Sequence, residues 1–237
     1  MNDFADQVVL ITGAAGNLGR ATARTFARDG ARLALLDRDP DRLETLRRDL
    51  GDGVESAAFV VDLIDPDSVR AQVEAAHQRF DRIDVSANIA GGFTMGPALH
   101  ETPEQDWNLM FDLNTRSVFN TCRAVLPHMI AAGRGRVVNI AARAALRGVG
   151  YMGPYCASKA AVITLTEALA DEHRDTDINV NCILPGTVDT PENRSAMPDA
   201  EHDRWVPPED LAAVIRFLCT SAARSVSGAA IPVYGRS

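Results

Sequence analysis

The sequence predicts an α/β domain, doubly wound around a mostly parallel seven-stranded sheet, and three observations carry that prediction. Short β-rich runs alternate with longer amphipathic segments along the whole chain, the rhythm of strands joined by covering helices. The strand runs are nearly continuous in apolar residues, as strands buried on both faces must be. Glycine and proline mark the joints: Gly30 follows the first helical run as a left-handed cap, and Pro40 and Pro66 suit helix starts. At 237 residues, 46% hydrophobic and 24% charged, the chain is long enough for one such domain with a large core.

In order, the strands read as Val8–Ile11, Arg32–Leu36, Ala57–Val61, Asp84–Asn88, Arg136–Ile140, Asn179–Leu184 and Ala230–Val233. Between them the helical runs are Leu18–Arg28, Asp41–Leu50, Ser68–Arg79, Pro103–Ala131, Tyr155–Arg174 and Pro208–Thr220. No repeat, low-complexity tract or linker divides residues 1–237, so a single domain is expected. The polar, proline-punctuated segment at about 190–207 follows the sixth strand and reads as a modest substrate loop.

Composition excludes several classes of partner. A net charge of -8 argues against nucleic acid and against an anionic membrane surface, since either wants a basic face. No run approaches the roughly 20 apolar residues that span a bilayer. The start, MNDFADQVVLITG, enters a strand without a basic-then-apolar leader. Cys122, Cys156, Cys182 and Cys219 lack paired spacing, so buried free thiols in a reducing cytoplasm are expected. His77, His100, His128, His173 and His202 show no ligand spacing, and no metal is expected.

The first strand runs into Thr12-Gly13-Ala14-Ala15-Gly16-Asn17-Leu18-Gly19, and a helix follows. Glycines let a pyrophosphate approach the backbone, and the helix start offers unpaired N–H groups at a positive dipole end. The second strand ends at Asp37, whose carboxylate can accept from both adenosine ribose hydroxyls and repel a 2′-phosphate. That favours NAD(H). Arg38 follows directly and can pair with a phosphate, which leaves NADP(H) open. Tyr155 and Lys159 stand four residues apart, one turn along one helix face. An ammonium there would lower the phenol from about 10 toward working pH and fit it for general acid/base work. Lys159 is also the one lysine in the chain; every other basic side chain apart from histidine is arginine.

These motifs together make the chain similar to the short-chain dehydrogenase/reductase family, which has a Rossmann fold. The resemblance rests on TGAAGNLG, Asp62-Leu63 after the third strand, Asn88-Ile89-Ala90-Gly91 after the fourth, Asn114, Tyr155-Cys156-Ala157-Ser158-Lys159, and Pro185-Gly186 followed by Thr190. It implies a hydride-transferring enzyme with Tyr155 and Lys159 catalytic, and with Asn114 holding a water behind the lysine. Cofactor contacts are implied for Gly13, Gly16, Asn17, Leu18, Gly19, Asp37, Asp62, Leu63, Asn88, Ala90, Gly91, Tyr155, Lys159, Pro185, Gly186, Val188 and Thr190. Thr190 would fix the nicotinamide carboxamide. A homodimer or homotetramer acting on a small molecule is also implied.

One family residue is missing. A serine thirteen positions before the tyrosine usually holds the substrate carbonyl; here Ala142 stands there, and no serine or threonine occurs from Ile140 to Pro154. Losing such a donor costs about 10² to 10³ in rate where an oxyanion develops. The chain is then a retired enzyme that binds NAD, or a reductase of an acceptor polarised by its own electronics. An ordinary carbonyl reductase with Tyr151 as substitute hydroxyl is a further alternative. The stretch Ala142-Arg143-Ala144-Ala145-Leu146, with Ala90-Gly91-Gly92-Phe93 and the tail from Asp189 to Trp205, resembles the quinonoid dihydropteridine reductase branch, which also has alanine there. That favours a conjugated, pterin-like acceptor. Phe93 and Trp205 either stack on a planar ring or serve packing; Arg143 either reaches an anionic substrate group or is a surface arginine.

Overall fold

The sheet of the computed structural model, which describes residues 3–236, is built from seven strands that all run parallel. They are β1 Val8–Thr12, β2 Arg32–Asp37, β3 Ser56–Val60, β4 Val85–Asn88, β5 Arg134–Ile140, β6 Asp177–Pro185 and β7 Ala230–Val233, in spatial order β3-β2-β1-β4-β5-β6-β7. Strand order reverses between β1 and β4, which opens a crevice beyond their carboxyl ends. Side-chain alternation splits the core in two. Val8 and Leu10 face one layer and Val9 and Ile11 the other, all fully buried.

The helices are α1 Asn17–Arg28, α2 Pro40–Leu50, α3 Pro66–Phe80, α4 Glu104–Phe111, α5 Ser117–Ala132, α6 Gly153–Glu172, α7 Pro191–Ala196 and α8 Pro208–Leu218. Their ends obey the local chemistry. Asp39 accepts from the amides of Asp41 and Arg42 ahead of α2, and Asp65 accepts from Asp67 ahead of α3. Gly30 takes φ 82°, just past the end of α1. No helix among the described residues is long and apolar enough to cross a membrane.

Two expectations need correction. The helix expected over residues 103–131 is not uniform: α4 and α5 are joined by a wider π turn, Asp112–Arg116, centred on Asn114. The cause lies in a distant segment: Asn114 turns inward to bond the backbone of Gly92, and such bulges gather at functional sites. The segment at 190–207 is also more ordered than a loop. It holds α7 and a 3₁₀ turn, His202–Arg204, and is pinned by a Val188–Val206 bridge.

Candidate active site

Three backbone turns meet at the carboxyl edge of the sheet. The turn after β1 is a cradle that only glycine permits. Gly13 has φ 63°, and a Cβ there would lie 2.9 Å from the Ala90 backbone. A Cβ on Gly19 would lie 2.1 Å from the Gly13 carbonyl. The first turn of α1 has no acidic residue, and Gly16 supplies no side-chain cap, so its amides are left for an anion. Thr12 fixes the neighbouring turn, its hydroxyl accepting from the amides of Ile89 and Ala90 at 3.1 and 3.3 Å.

At the adenosine end, the Asp37 carboxylate accepts from the amides of Ala15 and Arg38 at 3.0 and 2.8 Å. Arg20 and Arg42 both donate to the Ala15 carbonyl, at 3.0 and 2.9 Å. A carboxylate and two guanidiniums therefore gather around Ala15, beyond the end of β2. Asp62 is exposed and accepts from the Ile64 amide; Leu63 is half-buried, its carbonyl accepting from Asn120. Leu18 packs against the core beside Ile89 and Val188. Asn17 donates to Glu192 at 2.8 Å, tying α7 over the start of α1. Pro185 ends β6, the Gly186 amide bonds Val233, and the Val188 carbonyl accepts from Asn193. Thr190 caps α7 by accepting from the Asn193 amide.

Asn88 departs from the expected cofactor contact through its side chain. That side chain is buried and points into the sheet, donating to Asn139 at 2.8 Å and accepting from Ser86 at 2.9 Å. Asn139 donates onward to Thr166 of α6 at 3.0 Å. This chain of amides and hydroxyls crosses β4, β5 and α6 with every link satisfied. Apart from Asn88, its residues had no motif to reveal them; only the strand register, which pairs Asn88 with Asn139, brings them together.

Tyr155 and Lys159 both stand on α6, and Asn114 meets Lys159 beside Gly91. Lys159 is buried, and its Nζ donates to the Ile140 carbonyl at 2.7 Å. A Cβ on Gly91 would lie 2.8 Å from Asn114 Oδ1 and 3.1 Å from Lys159 Nζ, so the absent side chain is what lets Asn114 and Lys159 both approach the Gly91 backbone. Asn114 Nδ2 also donates to Ser158, whose hydroxyl donates to the Tyr155 carbonyl. Ser158 thus joins Thr12 and Asn139 as a positioning group to which sequence reasoning assigned no role. Burial pushes Tyr155 up to about 12 and Lys159 down to about 8. The direction is opposite to the lowering expected from the ammonium, because desolvation dominates and Cys156 adds to it. Tyr155 carries its proton at neutral pH and is set as a donor.

Ala142 is buried in extended backbone (φ -164°) and offers no hydroxyl. Phe93 meets Tyr155 edge-on, ring centroids 4.9 Å apart, yet stays 58% exposed. Trp205 is only 8% exposed, its ring tilted on His202, so its place is in loop packing rather than on an open ring face. Arg143 lies over the Tyr234 ring at 5.1 Å.

Comparison with known proteins points to one family. The family model described as short chain dehydrogenase matches residues 7–201. The 3-oxoacyl-[acyl-carrier-protein] reductase FabG of Thermotoga maritima is 33% identical over 239 residues, covering 97% of this chain and 96% of that protein. A solved NAD+-bound xylitol dehydrogenase is 28% identical with a TM-score of 0.91, covering 98% of this chain and 99% of that one. L-Sorbose reductase from Gluconobacter frateurii, complexed with NADPH and L-sorbose, is 29% identical with a TM-score of 0.91, covering 99% and 98%.

Proposed function

Because the chain belongs to the short-chain dehydrogenase family, we propose that it transfers hydride between NAD(H) and a small conjugated acceptor, with Tyr155 as general acid/base. A nicotinamide dinucleotide fits the residues present: the Gly13–Gly19 cradle, the uncapped start of α1 and the glycine at position 91 leave the spaces it needs. When bound, that group supplies the hydride. Gly13, Gly16, Gly19 and the α1 amides would hold its phosphates. Asp37 would take the adenosine ribose diol, which favours NAD(H). The Ala90–Gly91 backbone and Thr190 would border the nicotinamide end. The structural relatives are bound to NAD+ in one case and NADPH in the other, so the preference for NAD(H) rests on Asp37.

The chain's own residues do the rest. Tyr155, protonated because it is buried, gives a proton to the acceptor heteroatom as charge develops there. Lys159, fixed on the Ile140 carbonyl, places a positive charge behind the site at neutral pH. Asn114 holds the Gly91–Gly92 backbone and, through Ser158, the start of α6. The observation that carries the choice of acceptor is the buried, hydroxyl-free position at Ala142. With no second donor, an isolated ketone loses about 10² to 10³ in rate. A conjugated carbonyl or imine, a quinonoid dihydropterin among them, spreads the charge itself. The exposed Trp107, Phe119 and Ile130 on α4 and α5 support assembly as a homodimer or homotetramer.

The test is NADH oxidation with conjugated diketones and a quinonoid dihydropterin, in the wild type and in Tyr155→Phe. Turnover that falls at least about 10²-fold in the variant supports the reading. Tight NADH binding with no turnover of any acceptor would leave a cofactor-binding protein without catalysis.

A further inference from the structure

The mouth of the site is apolar to a degree that hydride transfer does not require. Two segments form it, residues 89–99 after β4 and residues 141–152 between β5 and α6. They meet directly: the Gly96 amide donates to the Tyr151 carbonyl at 3.0 Å, and a Cβ on Gly153 would come within 3.2 Å of Leu99 Cδ1. Tyr151 adopts φ 65° at this junction, a conformation unusual for a side chain of its size. Phe93, Met95, Leu99 and Leu146 are exposed by 58 to 67%, and Phe93 reaches the catalytic phenol. From Ile89 to Leu99 there is no ionisable side chain and one hydroxyl, Thr94; from Ala141 to Met152 there is no carboxylate, one hydroxyl, Tyr151, and two guanidiniums, Arg147 and Arg143, the second lying over the Tyr234 ring.

Large apolar side chains left in water next to a reactive group mark a surface that binding will cover. A polyhydroxylated acceptor would bring hydroxyls that find few partners here, and each unpaired buried group works against binding. We propose that the acceptor is a flat, apolar, ring-fused ketone or diketone, seated against Phe93, Leu99 and Leu146 with its carbonyl at Tyr155. This deepens the hydride-transfer reading and rests on it for the chemistry. The acceptor C=O takes a hydride at carbon and the Tyr155 proton at oxygen, becoming CH–OH; the dinucleotide is left oxidised, and Tyr155 recovers its proton from solvent.

Three acceptors separate the two readings. Acenaphthenequinone is conjugated and ring-fused, diacetyl is conjugated but small, and xylulose is neither. We expect kcat/KM for acenaphthenequinone to exceed that for diacetyl by at least about tenfold, with xylulose lowest. Phe93→Ser should erase that margin by raising KM for acenaphthenequinone about tenfold. Calorimetric titration of acenaphthenequinone into NADH-loaded Tyr155→Phe, which does not turn over, should show the same loss of affinity when Phe93→Ser is added. A Leu99→Ser variant provides a second, independent lesion with the same expected direction. Equal or better use of diacetyl or xylulose, stopped by Tyr155→Phe, would overturn the apolar-mouth proposal and leave hydride transfer standing. Phe93-dependent binding without turnover of any acceptor would support the mouth and overturn the chemistry.

Discussion

Replacing Lys159 with methionine removes the one ammonium that the fold takes fully out of water. Burial holds it down at about 8, against 10.5 for an ordinary lysine. Keeping that charge in the folded chain at neutral pH therefore costs about 3 kcal/mol. Methionine has similar bulk but leaves the Ile140 carbonyl, now 2.7 Å from Nζ, without its donor, a loss of about 1 kcal/mol. Lys159→Met should then be more stable than the wild type by about 2 kcal/mol at pH 7, and inactive. The sign of the pH dependence follows from the lowered pKa. Below about 8 both folded and unfolded lysine are protonated, and the full cost stands. Between about 8 and 10.5 the folded chain releases a proton that the unfolded chain keeps, so the wild type gains stability as pH rises. The variant's lead should shrink to nothing near pH 10, roughly where the remaining cost equals the lost hydrogen bond. Urea unfolding at constant ionic strength, at pH 7 and near pH 10, measures this. A variant weaker than the wild type by the same margin at both pH values would refute it.

Gly19→Ala puts a Cβ 2.1 Å from the Gly13 carbonyl, so the cradle must open; fluorescence titration should show NADH binding weakened at least about tenfold. Asp37→Ser removes the charge that opposes a 2′-phosphate, and the NADPH-to-NADH ratio of kcat/KM should rise by about tenfold or more. Asn139→Ala removes one buried partner each from the Asn88 amide and the Thr166 hydroxyl, leaving the first with Cys122 and the second with the Val162 carbonyl, and should lower unfolding free energy by about 1 to 3 kcal/mol, read by urea unfolding.

Much of this molecule was legible before folding because its signals are local. The cradle glycines, the helix starts at Pro40 and Pro66, and the one-turn spacing of Tyr155 and Lys159 are dictated by backbone sterics and helix pitch. What escaped depends on pairing between distant segments. Whether Asn88 faces the crevice or the sheet is set by register with β5, not by its own neighbours. The π turn at Asn114 answers to Gly92, twenty-two residues earlier, and its sequence looks like any amphipathic helix. Desolvation of Tyr155 comes from everything packed over it, while spacing showed only the charge one turn away. Phe93 and Trp205 looked equivalent as free aromatics, yet folding exposes one beside the phenol and buries the other.

The role given to Ala142 can be tested by restoring the missing hydroxyl. The measurement is kcat/KM of wild type and Ala142→Ser for diacetyl and for acetone, with NADH saturating. We expect the wild type to favour diacetyl strongly, and Ala142→Ser to raise acetone reduction about 10²-fold while changing diacetyl far less, so that the preference narrows. A wild type that already reduces acetone as well as diacetyl, with no gain from the serine, would contradict the link between the absent hydroxyl and a conjugated acceptor.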